Sequence, residues 1–364
     1  MLSADHAARR DALRSLIRAQ GWDAMLVTDL LNVRYLTGFS GSNASLLVSA
    51  SDSAAAEDRT LICTDGRYVT QVAAQVPDLL AVIDRAGPPR LLADTDARRV
   101  GFESHVVSVD DHARWSDGGD VELVRARRPV EQLRTVKDET EVALLREACG
   151  VADRALGLMM ERGSLRPGRT EKEVGLELDH LMLELGADGI SFETIVAAGA
   201  NSAVPHHRPD ATVLERGDLL KLDFGAEVGG YHSDMTRTVV LGAAQDWQRE
   251  LYDLVARSQA AGRAALRPGA EVRAVDGAAR AVIDEAGYGE LFLHGLGHGV
   301  GLEIHEAPGI GATGTGTLLA GAAVTVEPGV YFSGRGGVRI EDTLIVREDE
   351  PELLTLTSKE FTVL

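Results

Sequence analysis

Cysteine is scarce in this sequence, because only Cys63 and Cys149 among the 364 residues carry a thiol. Two thiols cannot form the disulfide framework that stabilises small secreted domains. Cys149 falls on the apolar face of a predicted helix, where a buried thiol is the expected role. The shortage of cysteine therefore favours a reducing compartment, and we expect a cytoplasmic protein.

Positive charge and long apolar runs are also lacking. Lys and Arg together number 37 against 56 Asp and Glu, which gives a formal net charge of −19. Nucleic acids and anionic membranes bind basic surfaces, so we expect neither as a partner. No apolar run approaches the roughly 18 residues of a membrane-spanning helix, and the N-terminal stretch MLSADHAARR is too charged for a signal peptide.

The length and the changes of pattern along the chain predict two domains. Residues 1–130 alternate helical and strand patterns: a helix over 7–20 is followed by strands in DAMLVTD, SLLVSA and TLICTD, with a polar loop at AAAEDR (54–59). This order is typical of a small α/β domain. The basic stretch RARRP (125–129) predicts a linker, so a second domain is expected over residues 131–364.

Two predicted helices open the second domain, and each begins with the spacing of a capping box. Asp138 and Glu141 mark the start of the first helix, along which apolar residues recur at helical intervals. Thr170 and Glu173 mark the start of the second helix, and Gly186 is expected to end it.

An internal repeat runs through the second domain. LRPG occurs at 165–168 and at 266–269, and HHRP at 206–209 resembles HEAP at 305–308. Two longer segments also match in pattern: LERGDLLKLDFG with LLAGAAVTVEPG, and GGYHSDMTRT with GGVRIEDTLI. Four matches with slowly drifting offsets indicate a duplicated helix–helix–strand unit. We therefore expect an α+β domain with pseudo-two-fold symmetry and one shared centre.

Each copy of the repeat carries two acids in strand-like surroundings. The equivalent pairs are Asp223 with Glu327 and Asp234 with Glu341. A carboxylate in an apolar strand is costly to bury unless it is paired or binds a metal. Strand alternation puts Thr236 on the same face as Asp234, next to the expected cluster. The four acids are therefore expected to converge on one place.

Divalent metal ions would resolve the repulsion among four gathered carboxylates. An oxygen-rich ligand set with one imidazole suits Mn²⁺, Co²⁺, Fe²⁺ or Zn²⁺, and His298 is the expected nitrogen ligand. Two such ions about 3.5–4 Å apart polarise a carbonyl and activate water. The pattern therefore indicates metal-assisted hydrolysis.

Hydrolysis of an amide also needs hydrogen-bond donors for a tetrahedral oxyanion. His206 and His305, on the matching HxxP segments, are the candidates, and His207 stays open as a replacement for His206. Glu327 is expected to accept the proton of the attacking water and pass it to the leaving nitrogen, besides binding metal.

Other residues are expected around the ligands rather than among them. His294 is expected to line the pocket or to orient a ligand, and Arg339 is expected to orient the carboxylate of Glu341. The glycines that flank His298 in HGLGHGVG are expected to let the backbone approach metal and substrate. The Gly pairs at 229–230 and 336–337 predict tight turns that bring the acid-bearing strands side by side.

The second domain resembles the M24 "pita-bread" metallopeptidases. The resemblance is carried by DFG, SDMTRT, GHGVGLEIHE, EPGVY and RIED, and it covers residues 137–364. It implies a pita-bread catalytic domain that binds two divalent metal ions, with Mn preferred and Co or Zn as alternatives. The implied metal ligands are Asp223, Asp234, His298, Glu327 and Glu341. The implied catalytic residues are His206, His305 and Glu327.

The first domain resembles the N-terminal domain of creatinase and prolidase, in TDLLNVRYLTGFSGSNA (28–44) and CTDGRYVTQ (63–71). That resemblance favours the Xaa-Pro branch of the family, M24B, whose members cleave the peptide bond before proline. It also implies a homodimer and a proline-containing peptide as substrate.

Two activities stay open within this branch. Prolidases hydrolyse only dipeptides and must hold the product-side carboxylate, whereas aminopeptidase P accepts longer peptides. Gly309 stands where some prolidases have an Arg for that carboxylate, so Xaa-Pro aminopeptidase is the preferred hypothesis and Xaa-Pro dipeptidase the alternative. Arg208 or Arg335 could supply the cation instead. A catalytically inactive binding module would lack part of the ligand set, and a two-metal phosphoesterase would need more basic residues near the site.

Overall fold

Residues 4–51, 57–117 and 120–364 are described by a computed structural model. The chain divides into two units, Met1–Arg134 and Thr135–Leu364. The first unit extends beyond the predicted boundary at residue 130, because residues 129–134 form a helix that packs on other helices of that unit.

The first unit is an α/β domain, as its pattern predicts. Its helices are α1 (His6–Ala19), α2 (Leu30–Thr37), α3 (Val69–Gln75), α4 (Gly87–Ala93), α5 (Val109–Ser116) and α6 (Pro129–Arg134). Its strands are β1 (Ala24–Val27), β2 (Ala44–Ser49), β3 (Leu61–Thr64), β4 (Leu80–Ile83), β5 (Arg99–Glu103) and β6 (Glu122–Ala126). They form one mixed sheet in the order β4-β3-β2-β1-β5-β6.

The predicted helix over 7–20 and the three predicted strands of this unit are confirmed to within a few residues by α1, β1, β2 and β3. Helix α1 begins where the Asp5 carboxylate accepts a hydrogen bond from the Ala8 amide. Residues 54–56 of the predicted polar loop lie outside the described residues, and Glu57–Arg59 form a 3₁₀ turn.

The helices of the second unit are α7 (Glu139–Glu161), α8 (Glu171–Glu184), α9 (Asp246–Ala265) and α10 (Val272–Glu285). Both predicted capping boxes are present, with Asp138 and Thr170 as the N-caps of α7 and α8. Gly186 follows α8 with a φ of 106°, a backbone conformation that glycine adopts without a Cβ clash.

The strands of the second unit are β7 (Gly189–Ile190), β8 (Ile195–Ala198), β9 (Leu219–Phe224), β10 (Ala226–Val228), β11 (Tyr231–His232), β12 (Met235–Val240), β13 (Gly297–Gly299), β14 (Glu306–Ile310), β15 (Ala323–Val326), β16 (Gly329–Phe332), β17 (Gly336–Arg339), β18 (Asp342–Ile345) and β19 (Glu352–Leu353). The larger antiparallel sheets have the orders β12-β9-β8 and β14-β13-β15-β18-β19. Strands β10 and β11 form a hairpin after β9, and β16 and β17 form its counterpart after β15.

The two copies of the repeat therefore have the same architecture, since each contributes a helix pair, a sheet and a hairpin in the same order. Helices α7 and α8 pack on β8, β9 and β12 around one apolar cluster. Helices α9 and α10 pack on β15 and β18 around a second cluster. The expected internal duplication is confirmed as a structural one.

The prediction for the glycine pairs is half correct. Gly229 and Gly230 have positive φ values of 57° and 82° and make the turn between β10 and β11. Residues 336–337 are instead the first two residues of β17, where the Gly337 amide donates to the Ser202 hydroxyl. The turn before β17 contains Gly334, whose φ is 74°.

Among the described residues, no helix is both long enough and apolar enough to cross a membrane.

Candidate metal centre

A cavity of about 260 Å³ lies in the second unit, between side chains contributed by both copies of the repeat. Its lining residues are Phe192, Glu193, Ile195, His206, His207, Arg208, Asp223, Asp234, His298, Ile304, His305, Glu327, Arg339 and Glu341. All five predicted metal ligands and the predicted catalytic histidines are among them. Thr236 and His294 do not line the cavity; Thr236 bonds to the lining residues Arg339 and Glu341, and His294 bonds to Tyr331, which Arg339 also contacts.

The acids reach the cavity because equivalent strands carry them. Asp223 is near the end of β9, and Asp234 immediately precedes β12, which pairs antiparallel with β9. In the second copy, Glu327 immediately follows β15 and Glu341 immediately precedes β18, and these strands also pair antiparallel. Each pair of neighbouring strands thus delivers two acids at the same end of a sheet.

Three of the predicted ligands meet most closely. Asp234, His298 and Glu341 each offer one ligand atom within 4.8 Å of the others. The His298 Nε2 atom lies 3.5 Å from Asp234 Oδ2 and 3.4 Å from Glu327 Oε1. The set therefore provides oxygen and nitrogen donors at one point, which suits a first-row divalent cation.

Asp223 is held differently, by the buried guanidinium of Arg339. Arg339 Nη2 donates to Asp223 Oδ2, while Arg339 Nε donates to the Thr236 hydroxyl at 2.9 Å. The Thr236 hydroxyl in turn donates to Glu341 Oε2 at 2.6 Å. Arg339 therefore pairs with Asp223, and it is connected to Glu341, the carboxylate that it was expected to orient, through the Thr236 hydroxyl.

The other oxygen of Asp223 offers a test of whether the residues fit a metal ion. Asp223 Oδ1 is buried and has no hydrogen-bond partner among the described residues. A buried carboxylate oxygen without a donor is costly. A divalent cation in the cavity would satisfy it, so the residues fit the metal that the ligand pattern implies.

The charges of the site give the same result. Burial, followed by the neighbouring carboxylates, raises the pKa values of Asp234 and Glu341 well above the ordinary range. Burial also raises the pKa of Glu327 to about 8, although Arg339 opposes the shift. Without a cation the cluster therefore retains protons near neutral pH, and a divalent ion would replace them.

The tautomer of His298 is set by the backbone. Its Nδ1 atom donates to the carbonyl of Gly299 at 3.0 Å, which leaves the lone pair of Nε2 directed at the acids. Burial lowers the pKa of His298 to about 4, so the ring is neutral at physiological pH. A neutral imidazole with a free Nε2 is the form that binds metal.

The glycines beside His298 have a packing role. A Cβ at Gly297 would lie 2.1 Å from the carbonyl oxygen of Thr325, and one at Gly299 would lie 2.2 Å from that of Ala307. Strand β13 is therefore held between its two neighbouring strands at a distance that only glycine allows. The glycines act on the neighbouring backbone and thereby fix where His298 lies.

The two adjacent histidines 206 and 207 have different surroundings. His207 Nε2 bonds to Glu171 Oε2 at 2.6 Å, whereas His206 has no hydrogen bond within the described part of the chain. His206 and His305 are both exposed residues at the cavity. His305 also lies against His298, with ring centroids 4.4 Å apart. His206 is therefore the one of the pair that is free to meet a substrate together with His305.

Glu171, His207 and Asp210 form a second group close enough to hold a metal ion. The buried Glu171 carboxylate, however, already accepts hydrogen bonds from the Ala198 amide, the Asn201 side chain, the His207 ring and the Asp210 amide. Four donors satisfy its two oxygens without a cation, so this group anchors the chain around His207.

His294 lies behind the cavity wall. Its Nδ1 atom donates to the Gly295 carbonyl, and its Nε2 atom accepts from the Tyr331 hydroxyl, both at 2.8 Å. Arg339 Nη1 donates to the same hydroxyl at 3.0 Å. Burial lowers the pKa of His294 to about 4, which fits its role as an acceptor.

Several residues around the site were not anticipated from the sequence. Thr325 accepts a hydrogen bond from the His298 amide at 3.1 Å, and Tyr331 joins Arg339 to His294. Strand parity with Glu327 could have indicated Thr325. Lys221 could also have been noticed, because it is a charged residue in an apolar strand, two residues before Asp223.

Two family profiles match this chain. The profile of metallopeptidase family M24 matches residues 143–348, and that of the Creatinase/Prolidase N-terminal domain matches residues 9–136.

The chain belongs to metallopeptidase family M24.

Solved structures of this family resemble the chain over its whole length. The Xaa-Pro dipeptidase from Bacillus anthracis is 37% identical, with a TM-score of 0.93, and covers 99% of this chain and 100% of that one. The X-Pro aminopeptidase from Thermotoga maritima is 34% identical, with a TM-score of 0.88, over 98% of this chain and 99% of that one. Among curated relatives, the Xaa-Pro dipeptidase of Pyrococcus furiosus is 41% identical over 231 residues, which are 64% of this chain and 66% of that protein.

These similarities confirm the M24B branch and its architecture, a creatinase/prolidase-type N-terminal domain followed by a pita-bread catalytic domain. The M24 chain is a metallopeptidase, and its family and its clustered donor residues both support the use of a divalent metal.

Proposed function

We propose that this metallopeptidase hydrolyses the peptide bond between an N-terminal residue and a following proline. The observation that carries the proposal is one cavity lined by five candidate ligands together with His206 and His305, neither of which is buried. Relatives named Xaa-Pro dipeptidase and X-Pro aminopeptidase support the same bond as the target.

The proposed metal ligands are Asp223, Asp234, His298, Glu327 and Glu341. We propose two divalent ions, with Mn preferred over Co or Zn because most of the donors are carboxylate oxygens. Bound metal of this kind supplies a water nucleophile at neutral pH and polarises the scissile carbonyl.

The protein's own groups have separate tasks in this proposal. Glu327 accepts the proton of the attacking water and passes it to the proline nitrogen, which has no N–H of its own before cleavage. His305 donates a hydrogen bond to the oxyanion, and His206 holds the substrate from the other side of the cavity. His207 stays bound to Glu171 and takes no part in the chemistry.

The dipeptidase alternative is better supported by the relatives than the aminopeptidase reading preferred from the sequence. A dipeptidase needs a cation for the substrate carboxylate, and Arg208 is the candidate. It lines the cavity and is paired with Glu193 on the surface, where its side chain is 79% exposed. Arg335 instead stacks on the ring of Trp247 at 3.9 Å and does not line the cavity.

The test compares Xaa-Pro dipeptides with Xaa-Pro tripeptides after chelation and addition of single metals. A dipeptidase should hydrolyse the dipeptide and leave the tripeptide almost intact. Arg208→Ala should raise KM for the dipeptide about tenfold or more through the loss of a charge-assisted hydrogen bond, and Arg335→Ala, the matched control, should not. Failure to cleave either substrate with any metal would refute the proposed function.

The second candidate function is Xaa-Pro aminopeptidase, favoured by Gly309 in the place where some prolidases have an Arg. Equal or faster cleavage of the tripeptide, with no effect of Arg208→Ala on KM, would select it.

A homodimer in the cytoplasm completes the proposal. The dimer follows from the resemblance to the Xaa-Pro branch, and light scattering after size-exclusion chromatography should give twice the 38.8 kDa of one chain. Both cysteines are free and buried, as suits a reducing compartment.

A further inference from the structure

A buried lysine lies beside the segment that carries His206. Lys221 is on β9, two residues before Asp223, and its side chain is fully buried. Its Nζ atom donates to the carbonyl of Val204 at 2.6 Å and to that of Pro205 at 3.2 Å. These are the two residues immediately before His206.

We propose that Lys221 is a positioning residue, whose amino group fixes the Val204 and Pro205 carbonyls and thereby holds His206 at the cavity. This inference rests on the proposed function, in which His206 contacts the substrate.

The cost of burying Lys221 supports this role. Lysine is almost never fully buried without partners, and the neighbouring positions of β9 are apolar. The ring of Tyr331 is a further neighbour, with its centroid 5.3 Å from Nζ. An aliphatic side chain would fill the same space without desolvating an amine. What the amine adds is the pair of hydrogen bonds to the segment before His206.

The segment needs such an anchor because it has no regular structure. It follows the 3₁₀ helix Gly199–Ala203 and belongs to no sheet. On its other side, His207 is tied to Glu171. His206 therefore lies between two anchored points while its own ring has no hydrogen bond to any described residue, which is a preorganised arrangement for contact with a ligand.

The hydrogen bonds do not depend on the protonation state of Lys221. Burial lowers the pKa of this amine to about 6, and both the ammonium and the neutral amine carry at least two N–H donors. Arg339 Nη1 also donates to the Pro205 carbonyl, at 3.2 Å, but Arg339 contacts Asp223 as well. Lys221 is thus the residue through which the segment can be released without touching a proposed metal ligand.

The kinetic test is a double-mutant cycle on the metal-loaded whole chain with an Xaa-Pro substrate. Lys221→Met should lower kcat about 10- to 100-fold, since a displacement of about 1 Å in a positioned group has costs of this size. KM should change less, and bound metal should match the wild type. The variant with both Lys221→Met and His206→Ala should be no slower than His206→Ala alone. Effects that multiply in the double variant would show that Lys221 does not act through His206 and would overturn the proposal.

Two further variants separate positioning from general destabilisation. Lys221→Gln keeps an amide donor and should recover part of the rate lost in Lys221→Met, and it serves as the test if the Met variant does not fold. Lys172→Met makes the same change at an exposed position of α8 and should leave kcat unaltered. If the Gln variant folds and is fully active, its crystal structure must show whether the Gln amide makes the hydrogen bonds of the lysine amine. Were the amide of that active variant not bonded to either carbonyl, the proposal would be wrong.

A structural measurement keeps this inference separate from the proposed function. Crystals of metal-free Lys221→Met should show residues 204–206 displaced while Asp223, Asp234 and His298 stay in place. An undisplaced His206 would overturn the positioning role whatever the enzyme cleaves. A wild type that cleaves no Xaa-Pro peptide would instead refute the proposed function, and the crystals would still decide whether Lys221 holds the segment.

Discussion

At the residue scale, the site is explained by which partners its acids have and which they lack. Asp223 has one oxygen on Arg339 and one buried oxygen without a donor among the described residues. Burial raises the pKa values of Asp234 and Glu341, and the neighbouring carboxylates of the cluster raise them further. Such a cluster is unfavourable as bare anions and becomes favourable around cations. Because the proposed metal ligands and the proposed oxyanion donor are different residues, mutation should separate metal binding from catalysis.

Asp234→Ala and His305→Ala should separate them. Asp234→Ala removes a central donor and should abolish turnover and metal loading together. His305→Ala should keep the metal and lose about 10²–10³ in kcat, the usual effect of removing one oxyanion donor. Metal content by elemental analysis and kcat on one Xaa-Pro dipeptide are measured on the same samples. His180→Ala is the control, because that side chain is 72% exposed on α8. A fully active Asp234→Ala would contradict the metal assignment.

Metal binding should release protons, and its affinity should rise with pH. A carboxyl whose pKa is raised to about 8, such as Glu327, still holds its proton at pH 7 and must lose it to bind a cation. The proton released by Glu327 should make the affinity increase about tenfold per pH unit up to about pH 8, above which this carboxyl adds no further increase. His298, with its pKa lowered to about 4, contributes nothing in this range.

Titration calorimetry of the metal-free protein in buffers of different ionisation enthalpy measures this release between pH 6.5 and 8. Glu327→Gln should release fewer protons than the wild type. A release near zero in the wild type would mean that the acids are already ionised.

At the element scale, the strands fix the site by their spacing. β13 lies between β14 and β15 in the second sheet and carries His298. Its glycines allow backbone approaches that any Cβ would prevent. The glycines of the histidine-rich stretch allow β13 to pack closely against its neighbouring strands. This close packing places the His298 imidazole among the acids.

Gly299→Ala should therefore destabilise the protein, since the new Cβ would lie 2.2 Å from the carbonyl oxygen of Ala307. We expect a loss of about 1–3 kcal/mol, as for other overpacked positions. Gly309→Ala is the matched control: nothing lies within 4 Å of its Cβ position, and it should change stability by less than about 0.5 kcal/mol. Urea unfolding of both metal-free variants measures the difference, and equal midpoints would contradict this account of β13.

Helix starts and strand positions were predictable because their causes are local. Capping boxes at Asp138 and Thr170 are read from residues three apart, and both are present. The prediction of a turn at the Gly pair 336–337 was wrong because a Gly-Gly dipeptide suits either a turn or a strand that packs closely against a neighbour. Only its neighbour Ser202, far away in sequence, decides between the two.

At the scale of the whole molecule, the duplication explains how one cavity is lined by candidate ligands from positions more than a hundred residues apart. Both copies form a helix pair, a sheet and a hairpin, and each brings two acids to the end of its paired strands. His298 has no counterpart among the proposed ligands of the first copy, so the centre is symmetric in its acids and asymmetric in its nitrogen donor.

The division of the chain into two units was indicated by the basic stretch before residue 130, while its position at Arg134 depends on where α6 packs. Periodicity and linker composition are visible in the sequence, but the last helix of a unit belongs to whichever core it contacts.

The sequence by itself determined the two-part architecture, the repeat and the list of residues able to bind metal, because those follow from periodicity, spacing and side-chain chemistry. Only the tertiary structure decided that Arg339 holds Asp223, that His207 is occupied by Glu171, and that Lys221 grips the segment before His206. Each of these contacts joins segments that are distant along the chain. Their pairing depends on how helices and sheets pack, and no local pattern encodes it.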